Sequence, residues 1–325
     1  MDFELSDDQE ALAEGVAALC EGRFDIDAVR AMADNGLDRG RWTELAETGV
    51  FSLCLSEADG GVGLGWAEAA VVFEQLGKTL VPGPLVATTL AAGLVDGAAD
   101  GSVVVASVER TTGPAVIEHL GWADVLVIVD DDGLASVAVP ELDATPHAQP
   151  LDPLTPVWTV AELPAGDRIG DAGAAASWRL RGSMLTAALQ LGLAIGATDL
   201  AVAYAKEREQ FGKPIGAFQA VKHRCADMIT RVEVLRAAVY AAAVTLDGNG
   251  VDEPERTVAV AKILASHAAA MCGKDCVQIH GGMGYTWEVN AHLFLKRAWV
   301  HDLAFGDGDD LAGELARELA GNGAD

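Results

Sequence analysis

Residues 208–223 read REQFGKPIGAFQAVKH. The stretch packs an arginine, two glutamines, two phenylalanines and a Gly-Lys-Pro turn between two apolar periodic segments. Helical spacing runs up to Arg208 and resumes near residue 216, so these residues form the corner between two long helices. Arg208 and Gln210 project from a helix end, where side chains reach outward past a bundle, and Phe211 and Phe218 bracket the turn. On spacing alone two readings stay open, an apolar turn with an incidental ion pair or a ligand-facing corner. A second break lies about 70 residues further on, the length of a two-helix hairpin: QIHGGMGYTWE, residues 278–288. Gly281 and Gly282 expose backbone amides there and let a ligand approach the main chain, and the helix start that follows favours a phosphate.

Working outward, long helical patterns cover residues 173–208, 216–247, 251–275 and 286–301, with a short one near 309–320. Residues 101–165 differ. SVVVAS, DVLVIVDDDG and LASVAVPEL are short β-branched runs punctuated by Gly, Asp and Pro, the signals of strands and hairpins, and Asp130–Asp132 reads as a turn. From residue 5 to about 97 the pattern is helical again, with Ser6 as a candidate N-cap followed by acidic residues that suit the helix dipole. SEADGGVGLG has glycines but no preceding strand of a βαβ unit, so it reads as a plain loop. The expected fold is mainly α: an N-terminal helical domain over 1–100, a small, reduced middle β domain over 101–170, and a C-terminal four-helix bundle over 171–325.

Composition narrows the partners. The 325 residues are half apolar, and the formal net charge is −27. Such a surface repels phosphate backbones and anionic lipid, which argues against nucleic acid or membrane binding but leaves room for one local anion site. The acidic start MDFELSDDQE lacks a secretory pattern, and five cysteines without a CxxC pair suit reduced thiols, so a cytoplasmic location is expected. Cys272 and Cys276, four apart on an apolar helix, read as core and not as metal ligands, and no metal site is expected. The most apolar run, MLTAALQLGLAIGATDLAVAYA, holds Asp199 and two glycines and reads as a bundle helix, not a membrane span.

REQFGKPIGAFQ and QIHGGMGYTWE resemble the two C-terminal signatures of the acyl-CoA dehydrogenases, and FSLCLSEADGGVGLGWAEAAVVFEQLGKTL resembles that family's N-terminal helical domain. The similarity covers most of the first 97 residues and nearly all of 173–310. It implies the three-part fold just described, FAD as cofactor, and α,β-desaturation of an acyl-CoA thioester, with electron-transfer flavoprotein as acceptor. It also implies that Arg208, Gln210, Phe211 and Gln219 face the adenosine diphosphate half of an FAD held mainly by a neighbouring subunit. Gln278, Gly281 and Gly282 approach the same cofactor. Arg and amides suit pyrophosphate, and Phe gives a ring an apolar wall.

The departures from the family pattern matter equally. The flavin-supporting Thr-Glu-Pro-like segment that ends in Gly-Ser-Asp has no counterpart; the nearest stretch is ASVERTTGPAVIEHL. The reaction needs a carboxylate at the substrate α carbon. Phe305 stands where the family's Glu usually lies, and Gly182 occupies the alternative position, so no catalytic residue is assigned to this chain. Asp307 and Glu288 read as solvated turn residues, and His280 and His301 as satisfied helix or turn residues. Together these features imply one short subunit of an α2β2 hetero-oligomer, resembling paired subunits of actinobacterial steroid breakdown, in which a second acyl-CoA dehydrogenase-like chain supplies the base. A self-sufficient homo-oligomer with an unrecognised base and a flavin-free helical scaffold remain alternatives.

Overall fold

The computed structural model describes residues 5–250 and 252–321. The first four residues of the acidic start, and Val251 at the expected beginning of the third bundle helix, lie outside the described residues. The chain forms two compact units, one of residues 1–17, 70–80 and 183–325, the other of 18–69 and 81–182.

Five helices precede the first strand: α1 (Asp7–Arg23), α2 (Ile26–Asn35), α3 (Arg39–Glu47), α4 (Trp66–Lys78) and α5 (Leu85–Ala91). Ser6 opens α1 as expected, in a reciprocal box: Gln9 N donates to Ser6 Oγ at 3.3 Å and Ser6 N to Gln9 Oε1 at 3.1 Å. Asp25 and Asp38 cap α2 and α3, each carboxylate accepting from the N–H groups two and three residues on. The glycine-rich loop closes on its own main chain, with Gly61 N on Ser56 O and Gly63 N on Leu55 O, both at 2.9 Å.

Seven strands follow: β1 (Val105–Glu109), β2 (Ala115–Glu118), β3 (Val125–Asp130), β4 (Gly133–Ala138), β5 (Ala144–Pro146), β6 (Val157–Val160) and β7 (Asp167–Asp171). They make a mixed sheet in the order β1-β3-β4-β7, its first pair parallel, and an antiparallel sheet β2-β6-β5. In this unit Trp42 stacks on Phe51 with ring centroids 4.5 Å apart in the core. Thr88 of α5 bonds both the Val105 N–H and C=O, at 3.1 and 3.2 Å, which fixes the start of β1.

The other unit is helical: α6 (Ala172–Glu207, its first residues in the preceding unit), α7 (Gln219–Leu246), α8 (Pro254–His280), α9 (Ala291–Leu303) and α10 (Gly308–Gly321). A two-stranded hairpin, β8 (Glu209–Gln210) with β9 (Lys213–Pro214), links α6 to α7. α6 is long and apolar enough to cross a membrane, yet 78% of its most apolar window is buried within the fold, the state expected of a central bundle helix.

Close packing here uses glycine. A Cβ on Gly192 of α6 would lie 2.0 Å from the Glu74 carbonyl oxygen of α4, and one on Gly77 2.1 Å from the Leu189 carbonyl oxygen, so the two backbones touch. The same stretch of α4 offers the buried Glu74, which accepts from Arg236 at 2.7 Å and from the Tyr240 hydroxyl at 2.8 Å, both on α7. Burial raises the Tyr240 pKa, and the neighbouring Glu74 charge adds to it, so the hydroxyl stays a donor.

Candidate functional site

α6 ends where the Arg208 N–H donates to Tyr204 O at 2.8 Å, and Ile215 N closes the corner on Arg208 O at 2.7 Å. Between them the β8–β9 hairpin turns on Phe211 and Gly212, at φ 54° and 77°. Two successive residues with positive φ are what a two-residue hairpin loop needs, and Asn-Gly is its usual sequence. Phenylalanine in that first place is strained, and its side chain is 92% exposed. Its ring meets Phe218 edge-on at 6.1 Å, and Lys213 Nζ sits 4.4 Å above the Phe218 ring. Gln210 and Gln219, the latter the first residue of α7, are exposed beside them.

α8 ends at His280, and Gly281 turns the chain with φ 64° and ψ −140°. Gln278, Gly281 and Gly282 are exposed. A Cβ on either glycine would meet nothing within 4 Å, so their main chain faces open space, whereas one on Gly284 would strike the Val277 carbonyl at 2.5 Å. Gly284 serves packing; Gly281 and Gly282 leave a bare backbone. The two breaks are neighbours. Tyr204, one turn before Arg208, stacks on His280 at 4.2 Å and points its hydroxyl at Met283 Sδ, 4.0 Å away. His280 is itself held by Cys276 O, 2.8 Å from its Nδ1, as a satisfied helix-end residue. Sequence reading missed Tyr204, whose only signal is its i,i−4 spacing from Arg208.

Charge converges on this face. Six of the 22 Lys and Arg fall between Arg208 and Arg236, against three carboxylates, in a chain of net charge −27. Arg224 and Arg231 both pair with the buried Asp275, tying α7 to α8, and Arg236 pairs with Glu74. Arg208, Lys213 and Lys222 have no carboxylate within 4.0 Å among the described residues, so their charge is available to an anion. Beneath the face, burial holds the thiols of Cys225, Cys272 and Cys276 protonated, pushing Cys276 up to about 12.

At the position matching the family's usual Glu, Phe305 and Gly306 turn the chain at φ 54° and 115°. Asp307 is spent on capping α10: its Oδ1 accepts from Asp309 N at 2.8 Å and Asp310 N at 3.2 Å. Lys262, fully buried, donates to His301 O at 2.6 Å and Asp302 O at 3.0 Å and so closes the end of α9. Gly182 is buried inside α6, and Glu288 is exposed.

Models of the acyl-CoA dehydrogenase N-terminal and C-terminal domains match residues 6–100 and 175–320. Acyl-CoA dehydrogenase IpdE2 of Mycolicibacterium smegmatis is 37% identical over 311 residues, covering 90% of this chain and 93% of that protein. The chain belongs to the acyl-CoA dehydrogenase family. In fold this acyl-CoA dehydrogenase is also similar to a chain of the ChsE4-ChsE5 complex from Mycobacterium tuberculosis, with a TM-score of 0.84, 24% identity and coverage of 98% and 99%. The Tcur3481-Tcur3483 steroid ACAD variant gives a TM-score of 0.83 at 23% identity, with the same coverage.

FAD, which the family implies, can be tested against the residues present. The face built by Arg208, Gln210, Phe211, Gln219, Gln278, Gly281 and Gly282 has the donor set for a dinucleotide: a free guanidinium, carboxamides, open backbone and an exposed ring. In the β unit, the stretch nearest the family's flavin-supporting segment is tied up in contacts of its own. In ASVERTTGPAVIEHL, Glu109 is gripped by Arg179 at 3.0 and 2.9 Å, and Arg110 donates to Asp130, Leu163 O, Pro164 O and Ala165 O. Those charges are engaged within the same unit, by α6 and by the loop between β6 and β7.

Proposed function

We propose that this acyl-CoA dehydrogenase is the cofactor-sharing subunit of a hetero-oligomer that desaturates an acyl-CoA thioester, one derived from a steroid, between the α and β carbons. Its second subunit, also acyl-CoA dehydrogenase-like and paired in an α2β2 assembly, holds the flavin ring and supplies the base. FAD, when bound, would supply the acceptor for the β hydride, and its two electrons would then go to electron-transfer flavoprotein. This chain's part is to bind and orient. Arg208 neutralises the pyrophosphate, the amides of Gln210, Gln219 and Gln278 fix it, Phe211 covers the adenine side, and Gly281–Gly282 admit it to the main chain. The reading keeps the division into 1–100, 101–170 and 171–325 and a cytoplasmic setting. The ChsE4-ChsE5 complex, one chain of which this protein resembles in fold, supports it.

One observation carries the proposal: an exposed Arg208 without a counter-ion stands beside bare glycines, in a chain that places Phe305 where the base belongs. The test is flavin content, measured on the chain alone and after co-expression with a second acyl-CoA dehydrogenase-like chain that has the flavin-supporting motif and a Glu. The chain alone should purify colourless and the pair yellow. A yellow homo-oligomer with stoichiometric FAD that loses turnover on Asp307→Asn would transfer the active site to this chain.

A further inference from the structure

The corner at Arg208 and the turn at Gly281–Gly282 are tied to each other through a ring pair. Tyr204 of α6 stacks on His280, the last residue of α8, with ring centroids 4.2 Å apart and planes inclined by 23°. The pair stands next to both sets of ligand-facing groups. Tyr204 O accepts the Arg208 N–H at 2.8 Å, one helical turn on, and His280 directly precedes Gly281. The Tyr204 hydroxyl also reaches Met283 Sδ at 4.0 Å, beyond the two glycines.

Each ring is held from behind. His280 is buried, and its Nδ1 lies 2.8 Å from Cys276 O. A carbonyl only accepts, so Nδ1 carries the proton, and the ring cannot turn without losing that bond. Tyr204 is half-buried on a helix, where a long side chain has few rotamers. The glycines have no such support. A Cβ on Gly281 or Gly282 would meet nothing within 4 Å, so no packing at either holds the main chain, and glycine has the widest choice of backbone conformation. Their ends fix them instead: His280 on one side, and on the other Gly284, packed against the Val277 carbonyl. Backbone amides bind an anion best when they are already in place, because a ligand that has to order them loses affinity.

We infer that Tyr204 is a positioning residue of the flavin half-site. Its stack on His280 holds the Gly281–Gly282 main chain in register with Arg208, so that guanidinium and backbone amides meet one diphosphate together. Tyr204 acts through these neighbours and not by touching the cofactor. The inference rests on the cofactor-sharing reading above. Its test uses the co-expressed pair of chains and three variants. Tyr204→Leu removes the stack, Tyr204→Phe keeps the ring and drops the hydroxyl, and Arg208→Ala reports on the half-site itself. Tyr204→Leu should weaken FAD binding about tenfold, the upper worth of an aromatic pair, and Tyr204→Phe should match the wild type. In the flavin-free pair, deuterium exchange over residues 281–285 should quicken in Tyr204→Leu and in neither other variant, with exchange elsewhere in the bundle unchanged. Wild-type FAD affinity or unchanged exchange in Tyr204→Leu, with Arg208→Ala weakened, would overturn the inference and leave the reading standing. Full affinity in Arg208→Ala would overturn both. Equal losses in Tyr204→Phe and Tyr204→Leu would give the role to the hydroxyl–sulfur contact and overturn the stack. Should Tyr204→Leu fail to assemble, His280→Leu breaks the same stack from its other ring and is read by the same two measurements. If that variant fails too while Tyr204→Phe is sound, the pair is a folding contact and the inference falls.

Discussion

Arg208 is a cation without a counter-ion in a protein where acid outnumbers base more than two to one, 49 carboxylates against 22 Lys and Arg. Most other arginines near it are neutralised internally; Arg224 and Arg231 share one buried carboxylate. A charge left free on an acidic surface is one that a ligand can use. Arg208→Ala should leave the fold intact, because the side chain is exposed and only its main chain closes the corner. It should cost the complex roughly 1.5–3 kcal/mol of flavin affinity, the worth of a hydrogen bond to a charged group, or about 10- to 150-fold. Flavin retained after dialysis measures this directly, and unchanged retention removes Arg208 from the site. At the same scale the sequence was only partly legible. The free arginine and the bare glycines stand in two readable motifs, but the pairing of Arg224 and Arg231 with Asp275 spans α7 and α8 and has no local signature. Lys262 was equally hidden: a lysine in an apolar helix reads as solvated, and only the end of α9 shows why it is buried.

Among elements, the helices were readable and the strands were less so. The stretches expected at 173–208 and 216–247 form α6 and α7 within a few residues, because their apolar periodicity is long and their ends carry Gly and Pro signals. Helix α8 runs on to His280, where Gly281 stops it. β2, β5, β6 and β7 lie outside the runs readable as strands because they are short and partly exposed, so alternation is weak. The parallel pairing of β1 with β3 was not accessible either, since register between strands separated by another strand leaves no local trace. The β8–β9 hairpin is the element where local preference and structure disagree. A Phe-Gly loop does the work of Asn-Gly, and the strain of a left-handed phenylalanine is a pointer to function. Phe211→Asn should relax the turn and raise the melting temperature by a stabilisation of about 1 kcal/mol. It should also weaken flavin retention, because the exposed ring is gone. A variant that gains stability and keeps its flavin would reduce Phe211 to a decorative turn residue.

The whole molecule carries −27 charges and a sequence pI of about 4.4, so acidification has two opposed effects. From neutral pH toward the pI, loss of net charge relieves repulsion within and between copies, and self-association should increase as solubility falls. Below that range the unit of residues 18–69 and 81–182 loses its own ties. Arg168, with Arg110 assisting against a smaller opposing effect of burial, holds the Asp130 carboxyl below its ordinary 3.8. For Asp124 burial pushes upward, but the Arg39 guanidinium and the Val104 N–H outweigh it and the net shift is again downward. A carboxylate whose folded pKa lies below its unfolded value contributes stability that is fully present above the unfolded value. That contribution disappears as pH falls through the folded one. These pairs therefore act at neutral pH and fail only below about pH 4, the unfolded carboxylate range. Arg168→Ala removes the larger cause at Asp130, so its folded pKa moves toward the ordinary value and its share of stability shrinks. The circular-dichroism acid transition of this variant should be shallower or begin at higher pH than that of the wild type, with the neutral-pH spectrum unchanged. Coincident transitions would show that the ion pairs joining β3 and β7 orient the sheet without stabilising it.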